Sequence, residues 1–234
     1  MLAFRHKRPL QTVLVDKQLG PKVDAARWGP SGRETVLKLD GMRERVRAGM
    51  EKVDENSAED LKVTLVEYLS LLHKTSVICA GISLTEAELG FKWSDAFDTK
   101  AFGHVDNWTF ERACVLFSLA ASLAFTATHR DRGTAEGVKL AAADFQLAAG
   151  VLDMLLGELR TSPWKGSPDL SVDTISTLMK LMLAQAQKCF YEKARDDGKS
   201  NSMLAKLTAE CALVSSPWAL AWHARGERHL LAHS

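Results

Sequence analysis

The sequence is poor in the features that mark secreted, nucleotide-binding or nucleic-acid-binding proteins. Four cysteines occur in 234 residues, Cys79, Cys114, Cys189 and Cys211, and none forms a CxxC pair. A disulfide framework is therefore not expected, and a reducing compartment fits. Lys plus Arg total 30 against 29 Asp plus Glu, so a formal charge of +1 gives no global attraction to nucleic acid, and no nucleic-acid partner is expected. The N-terminus runs from Met-Leu-Ala-Phe straight into Arg5, His6, Lys7, Arg8 and Pro9, without the apolar stretch of a secretory signal. A cytoplasmic protein is expected. The uncharged segment Ala113 to Ala127 is shorter than the roughly 20 residues that span a bilayer. Its Ser118, Ser122 and Thr126 suit a helix buried in a bundle.

Enzyme signatures are also missing. Gly29-Pro30-Ser31-Gly32 lacks the Gly-Lys-Ser/Thr of a phosphate loop and reads as a turn before a helix. His129-Arg130-Asp131 opens like a kinase catalytic loop, but its Asn, a Gly-rich loop and Asp-Phe-Gly are absent, so a helix end is expected there. His223, His229 and His233 have no thiolate or carboxylate to complete a tetrahedral metal set. Asn107-Trp108-Thr109 is formally a glycosylation sequon, and without a secretory signal its Asn is better read as a helix cap. Cys189, beside Phe190 in a helix interior, has no activating base nearby in sequence and reads as a packed thiol. No catalytic residue, cofactor or metal is expected.

What is present is a globular composition, 46% hydrophobic and 25% charged, with mostly helical patterning from Gly32 onward. Ser57 is expected to cap a helix carrying Leu61, Leu65, Tyr68 and Leu72, which ends near Ser76. Another begins near Asn107 and points Cys114, Leu116, Leu119, Ala120 and Leu123 at a core. Thr134 opens a third, with an alanine-rich face of Val138, Ala141, Ala142, Phe145, Ala148, Ala149 and Leu152 that lets neighbours approach closely. After the breaker run Ser162 to Pro168, a helix from Ser171 carries Ile175, Met179, Met182, Ala186 and Phe190, and Asp197-Gly198 ends it. A last helix starts near Ser200 with Met203, Leu204 and Leu207. Strand patterning is confined to Thr12-Val13-Leu14-Val15 and Phe91-Lys92-Trp93. The class is mainly α, a stack of antiparallel helices beside a small sheet, without a clean 34-residue repeat.

Charge is uneven. Residues 1 to 50 hold 11 Lys/Arg against 5 Asp/Glu, and residues 51 to 100 hold 5 against 10. The basic excess suits either an anionic membrane surface or an ordinary solvated face.

Four blocks are more specific than periodicity. They are Phe91-Lys92-Trp93-Ser94-Asp95-Ala96-Phe97-Asp98, Phe110-Glu111-Arg112-Ala113-Cys114-Val115-Leu116-Phe117, Glu136-Gly137-Val138-Lys139-Leu140-Ala141-Ala142 and Met182-Leu183-Ala184-Gln185-Ala186-Gln187. In this order and spacing they resemble the BRO domain family, its Alix-like members above all, with rhophilins and the HD-type phosphatase sharing the domain. The resemblance implies a curved antiparallel helical bundle with a tetratricopeptide-like core and a small β-sheet. It runs from about Leu10 to Leu207, which sets residues 1–210 as the N-terminal and central part of a BRO domain and leaves 211–234 as a divergent tail, where BRO domains continue with further helices. A non-enzymatic adaptor of the ESCRT pathway is implied, recruited to endosomal membranes and binding the amphipathic C-terminal helix of a Snf-seven-type ESCRT-III subunit. The groove positions implied by aligned motif are Lys139, Phe190, Met203 and Leu207. Ala135 stands where Alix-like members have an acid, and Met203 where they have a branched aliphatic. Met203 and Leu207, four apart, share a helix face that suits either a partner strip or the core. A rhophilin-like signalling scaffold and a truncated, non-functional product are the alternatives.

Overall fold

The computed structural model describes residues 1–11, 13–23, 25–161 and 167–212. Seven helices follow one another: α1 (Val15–Leu19), α2 (Ala25–Gly49), α3 (Ser57–Ile78), α4 (Trp108–His129), α5 (Ala135–Thr161), α6 (Val172–Asp196) and α7 (201–212). Strands β1 (Phe91–Ser94) and β2 (Phe102–Val105) form an antiparallel pair between α3 and α4, with Phe91 opposite Val105 and Ser94 opposite Phe102. Consecutive long helices are neighbours, α2 on α3, α3 on α4, α4 on α5 and α5 on α6. The connections α2–α3, α4–α5 and α5–α6 are short enough to favour antiparallel neighbours, while α3 and α4 are joined through the β1–β2 pair.

Local chemistry explains the boundaries. Inside α2 the chain breaks at Gly29 (φ 61°), and the straight run starts at Pro30, whose fixed φ and missing N–H suit a first helical position. Asn107 caps α4 by accepting from Thr109 N at 2.7 Å, Thr134 accepts from Gly137 N at 3.0 Å ahead of α5, and Ser171 accepts from Thr174 N at 3.2 Å at the start of α6. Gly198 (φ 67°) ends α6, with Lys199 N donating to Ala194 O and Gly198 N to Arg195 O, and the chain reverses into α7. The breaker residues 162–166 and the tail histidines fall outside the described residues.

Two sequence expectations are corrected. The segment from Val13 to Val15 is not a strand: Val15 opens α1, because Asp40 accepts from both Val15 N and Asp16 N; Thr12 lies outside the described residues. The extended N-terminal piece lies earlier, where Leu10 N donates to Lys92 O and Ser94 N to Arg8 O, adding a short rung to β1. At α3 the capping group is Asp54, whose Oδ1 accepts from Asn56 N and Ser57 N, while Ser57 is already helical.

The core is centred on α4. It is long and apolar enough to cross a membrane by composition, but its most apolar window is 89% buried here, as expected for a core helix. Two buried polar clusters hold the surrounding pieces to it. Glu111 of α4 accepts from Arg43 of α2, Tyr68 of α3 and Trp93 of β1. Lys7 of the N-terminal segment is buried against Asp169 and Ser167, and its own carbonyl accepts from Ser118 of α4. Burial alone pushes the Cys79 thiol up to about 11, and Cys189 is raised equally far, chiefly by burial; neither suits a nucleophile at neutral pH.

Candidate functional site

The residues picked out for partner binding lie on α5, α6 and α7. Phe190 sits near the end of α6 with its side chain 40% exposed. Across the Gly198 turn, Met203 is 45% exposed on α7, whereas Leu204 and Leu207 are half-buried. Cys211 lies 3.7 Å from Ala184 O, so α7 rests on α6 through its Leu204, Leu207 and Cys211 side. Lys139 is exposed in the second turn of α5, with Glu136 3.7 Å away, a surface pair of little strength. Arg132, just before α5, pairs with Glu192 of α6 at 3.4 Å, which fixes the start of α5 beside the end of α6. Lys139 and Phe190 therefore belong to the same end of the stack, next to the turn that delivers Met203.

The sequence reading missed part of this surface. Leu183, seven residues before Phe190, and Val172, at the start of α6, are also exposed. Together they continue an apolar line along α6. The sevenfold spacing was the available signal.

Gly137 positions Lys139. A Cβ at this glycine would stand 1.7 Å from Asp131 O, so any side chain pushes α5 away from the loop that caps it. Gly137→Ala is expected to cost about 1 to 3 kcal/mol, as for overpacking generally. Urea unfolding measures it, and a loss under about 0.5 kcal/mol would mean that the capping loop yields freely.

The basic excess of residues 1 to 50 is weaker at the surface than its count. Lys7 and Arg43 are buried in ion pairs, and Arg33, Lys38, Arg45 and Arg47 each face a carboxylate.

The architecture defines a stacked-helix domain with a small sheet packed at its side and an apolar strip left open on its later helices. The chain belongs to the BRO1-like domain family, whose model matches residues 30–222. It is 35% identical over 178 residues to the ALG-2 interacting protein X of Dictyostelium discoideum, covering 76% of this chain and 22% of that protein. With the vacuolar protein-sorting protein bro-1 of Neurospora crassa it shares 32% identity over 181 residues, 77% of this chain and 17% of that protein. The chain thus spans about a fifth of the length of the curated relatives it matches. A solved complex of ALIX BRO1 with CHMP4C shares the fold with a TM-score of 0.82 at 23% identity, covering 96% of this chain and 65% of that one.

Proposed function

We propose that this chain is a non-enzymatic adaptor of the ESCRT pathway, which holds the C-terminal amphipathic helix of a Snf-seven-type ESCRT-III subunit against α5, α6 and α7. The observation that carries the reading is the pair of large apolar side chains, Phe190 and Met203, left exposed on either side of one turn, with Leu207 at their border and Lys139 across from them. Exposed apolar side chains in line are what a helix-in-groove interface uses as anchors. The CHMP4C complex of ALIX BRO1 supports an ESCRT-III partner. The vacuolar protein-sorting name of the Neurospora relative supports a role in protein sorting; recruitment to an endosomal membrane from the cytoplasm belongs to the same reading. In this reading Lys139 meets a carboxylate or a terminal carbonyl of the partner, and Leu207 supports Met203 from beneath.

Titration calorimetry with the C-terminal peptide of such an ESCRT-III subunit tests it. Met203→Asp and Phe190→Asp should each weaken binding at least tenfold, because burying such a side chain is worth roughly 1.5 to 3 kcal/mol and a carboxylate there loses water without gaining a partner. Leu207→Asp should act at least as strongly, with circular dichroism separating lost binding from a detached α7. Lys188→Glu, on an exposed position of α6, should leave binding unchanged. Unaltered affinity in both Met203→Asp and Phe190→Asp would put the partner elsewhere.

A further inference from the structure

The chain holds seven methionines, and the fold sorts them by access. Met50 and Met182 are buried, Met1, Met42 and Met179 are half-buried, and Met154 and Met203 are 54% and 45% exposed. Met154 lies on α5, 15 residues beyond Lys139 and so about 22 Å along the helix from it. Met203 lies in the first turn of α7, where its N–H donates to Ser200 Oγ at 3.4 Å. Among the apolar anchors of the α5–α7 surface, Phe190, Met203 and Leu207, only Met203 carries a thioether, a sulfur that accepts an oxygen atom. The thiols compete poorly for an oxidant. Burial pushes Cys79 and Cys189 up to about 11 and Cys114 well up too, so all three stay protonated at neutral pH, while Cys211 holds its Sγ 3.7 Å from Ala184 O, against α6. The sulfur most open to an oxidant on this surface is therefore that of a binding side chain.

We propose that Met203 is a reversible oxidation site that switches off the α5–α7 surface, a role that rests on the partner-binding reading above. The oxidant is a peroxide. One of its oxygen atoms passes to Met203 Sδ: the O–O bond breaks as the S–O bond forms, the sulfur gives up two electrons, and the peroxide is reduced to water. A dithiol reductase of the methionine sulfoxide class reverses the step, removing the oxygen as water while its two thiols close to a disulfide. The sulfoxide adds a hydrogen-bond acceptor to an apolar anchor. In the free chain this acceptor stays in water, because Met203 is exposed. A bound helix has to desolvate it against an apolar face that offers no donor. The added oxygen therefore costs the complex and spares the fold. Phe190 and Leu207 have no such chemistry, so one atom at one position carries the switch.

The test treats the whole chain with hydrogen peroxide, removes the peroxide with catalase, locates the added oxygen by peptide mass spectrometry and then titrates the ESCRT-III C-terminal peptide by calorimetry. Met203 and Met154 should take up oxygen before Met50 and Met182, with circular dichroism unchanged. Oxidation should weaken peptide binding at least tenfold, and the two methionine sulfoxide reductases, one for each sulfoxide epimer, should restore it. Met203→Leu, whatever its starting affinity, should change less than twofold on the same treatment. Met154→Leu and Cys211→Ser should lose affinity on oxidation as the unaltered chain does. Sulfoxide at Met203 with affinity kept, a loss that persists in Met203→Leu or vanishes in Met154→Leu or Cys211→Ser, no recovery with the reductases, or oxidation of Met50 and Met182 ahead of Met203 would each overturn the switch and leave the partner reading standing. An untreated chain that does not bind the peptide would overturn both.

Discussion

Replacing Glu111 by Ala should lower the free energy of unfolding by about 3 to 5 kcal/mol, the range for removing one partner of a buried ion pair. Glu111 Oε1 accepts from Arg43 Nε at 2.8 Å and from Tyr68 OH at 2.6 Å, and Oε2 accepts from Trp93 Nε1, with all four residues buried. Arg43 also donates through Nη1 to Gln11 O at 2.6 Å, while its buried Nη2 has no partner among the described residues. Without the carboxylate, a guanidinium, a phenol and an indole N–H are left buried with fewer acceptors than donors, and each unmet group carries its desolvation cost. Burial, and then the Glu111 charge, push the Tyr68 phenol far up, so ionising the tyrosine offers no relief at ordinary pH. Glu111→Gln keeps an acceptor but removes the charge facing Arg43, and an intermediate loss is expected. Arg43→Met combined with Glu111→Leu should recover part of the loss, because shape is kept and no lone charge remains. Urea unfolding with an unchanged m-value is the measurement; a loss below about 1 kcal/mol for Glu111→Ala would mean that water enters and replaces the carboxylate.

How much of this was legible depends on whether a residue's role is local. The caps at Asn107, Thr134 and Ser171 were legible because the chemistry needs only the next three residues. β2 was not, since Phe102-Gly103-His104-Val105 has no clean alternation and exists because β1 supplies its hydrogen bonds. Gly137 was noticed only inside a motif; its reason is the Asp131 carbonyl folded over it. On α6 the sequence placed Ile175, Met179, Met182, Ala186 and Phe190 along one helix without saying which of them face the core. The fold divides them: Ile175, Met182 and Ala186 are buried, Met179 is half-buried and Phe190 is exposed. A helix with apolar residues on two faces has one face for its neighbour and another for something else, and spacing alone does not say which. The fold class, mainly α with a small sheet, was legible in both period and motif.

The N-terminal segment should depend on Lys7 to a degree unusual for a residue so near a chain end. Lys7 Nζ lies 2.6 Å from Asp169 Oδ2 and 2.9 Å from Ser167 Oγ, and neither charged side chain is exposed at all. Asp169 Oδ2 also accepts from Ala96 N at 2.8 Å, so one carboxylate oxygen joins the N-terminus, the loop after β1 and the turn before α6. Lys7→Met keeps most of the apolar stem but leaves Asp169 as a buried charge without its cation, and a loss of about 3 to 5 kcal/mol is expected. Asp169→Asn should cost a similar amount for the mirror reason, a buried ammonium facing a neutral amide. The double variant should cost less than the sum by at least about 1.5 kcal/mol, since neither charge is then unpaired. The site of the damage is also readable. The Leu10 and Ser94 amides, which join the N-terminal segment to β1, should lose hydrogen-exchange protection before those of α4 and α5 do. If Lys7→Met costs under 1 kcal/mol and the Leu10 and Ser94 amides stay protected, the segment is held by Phe4 against Phe117 and by the β1 rung instead, and the buried pair contributes little beyond its own desolvation.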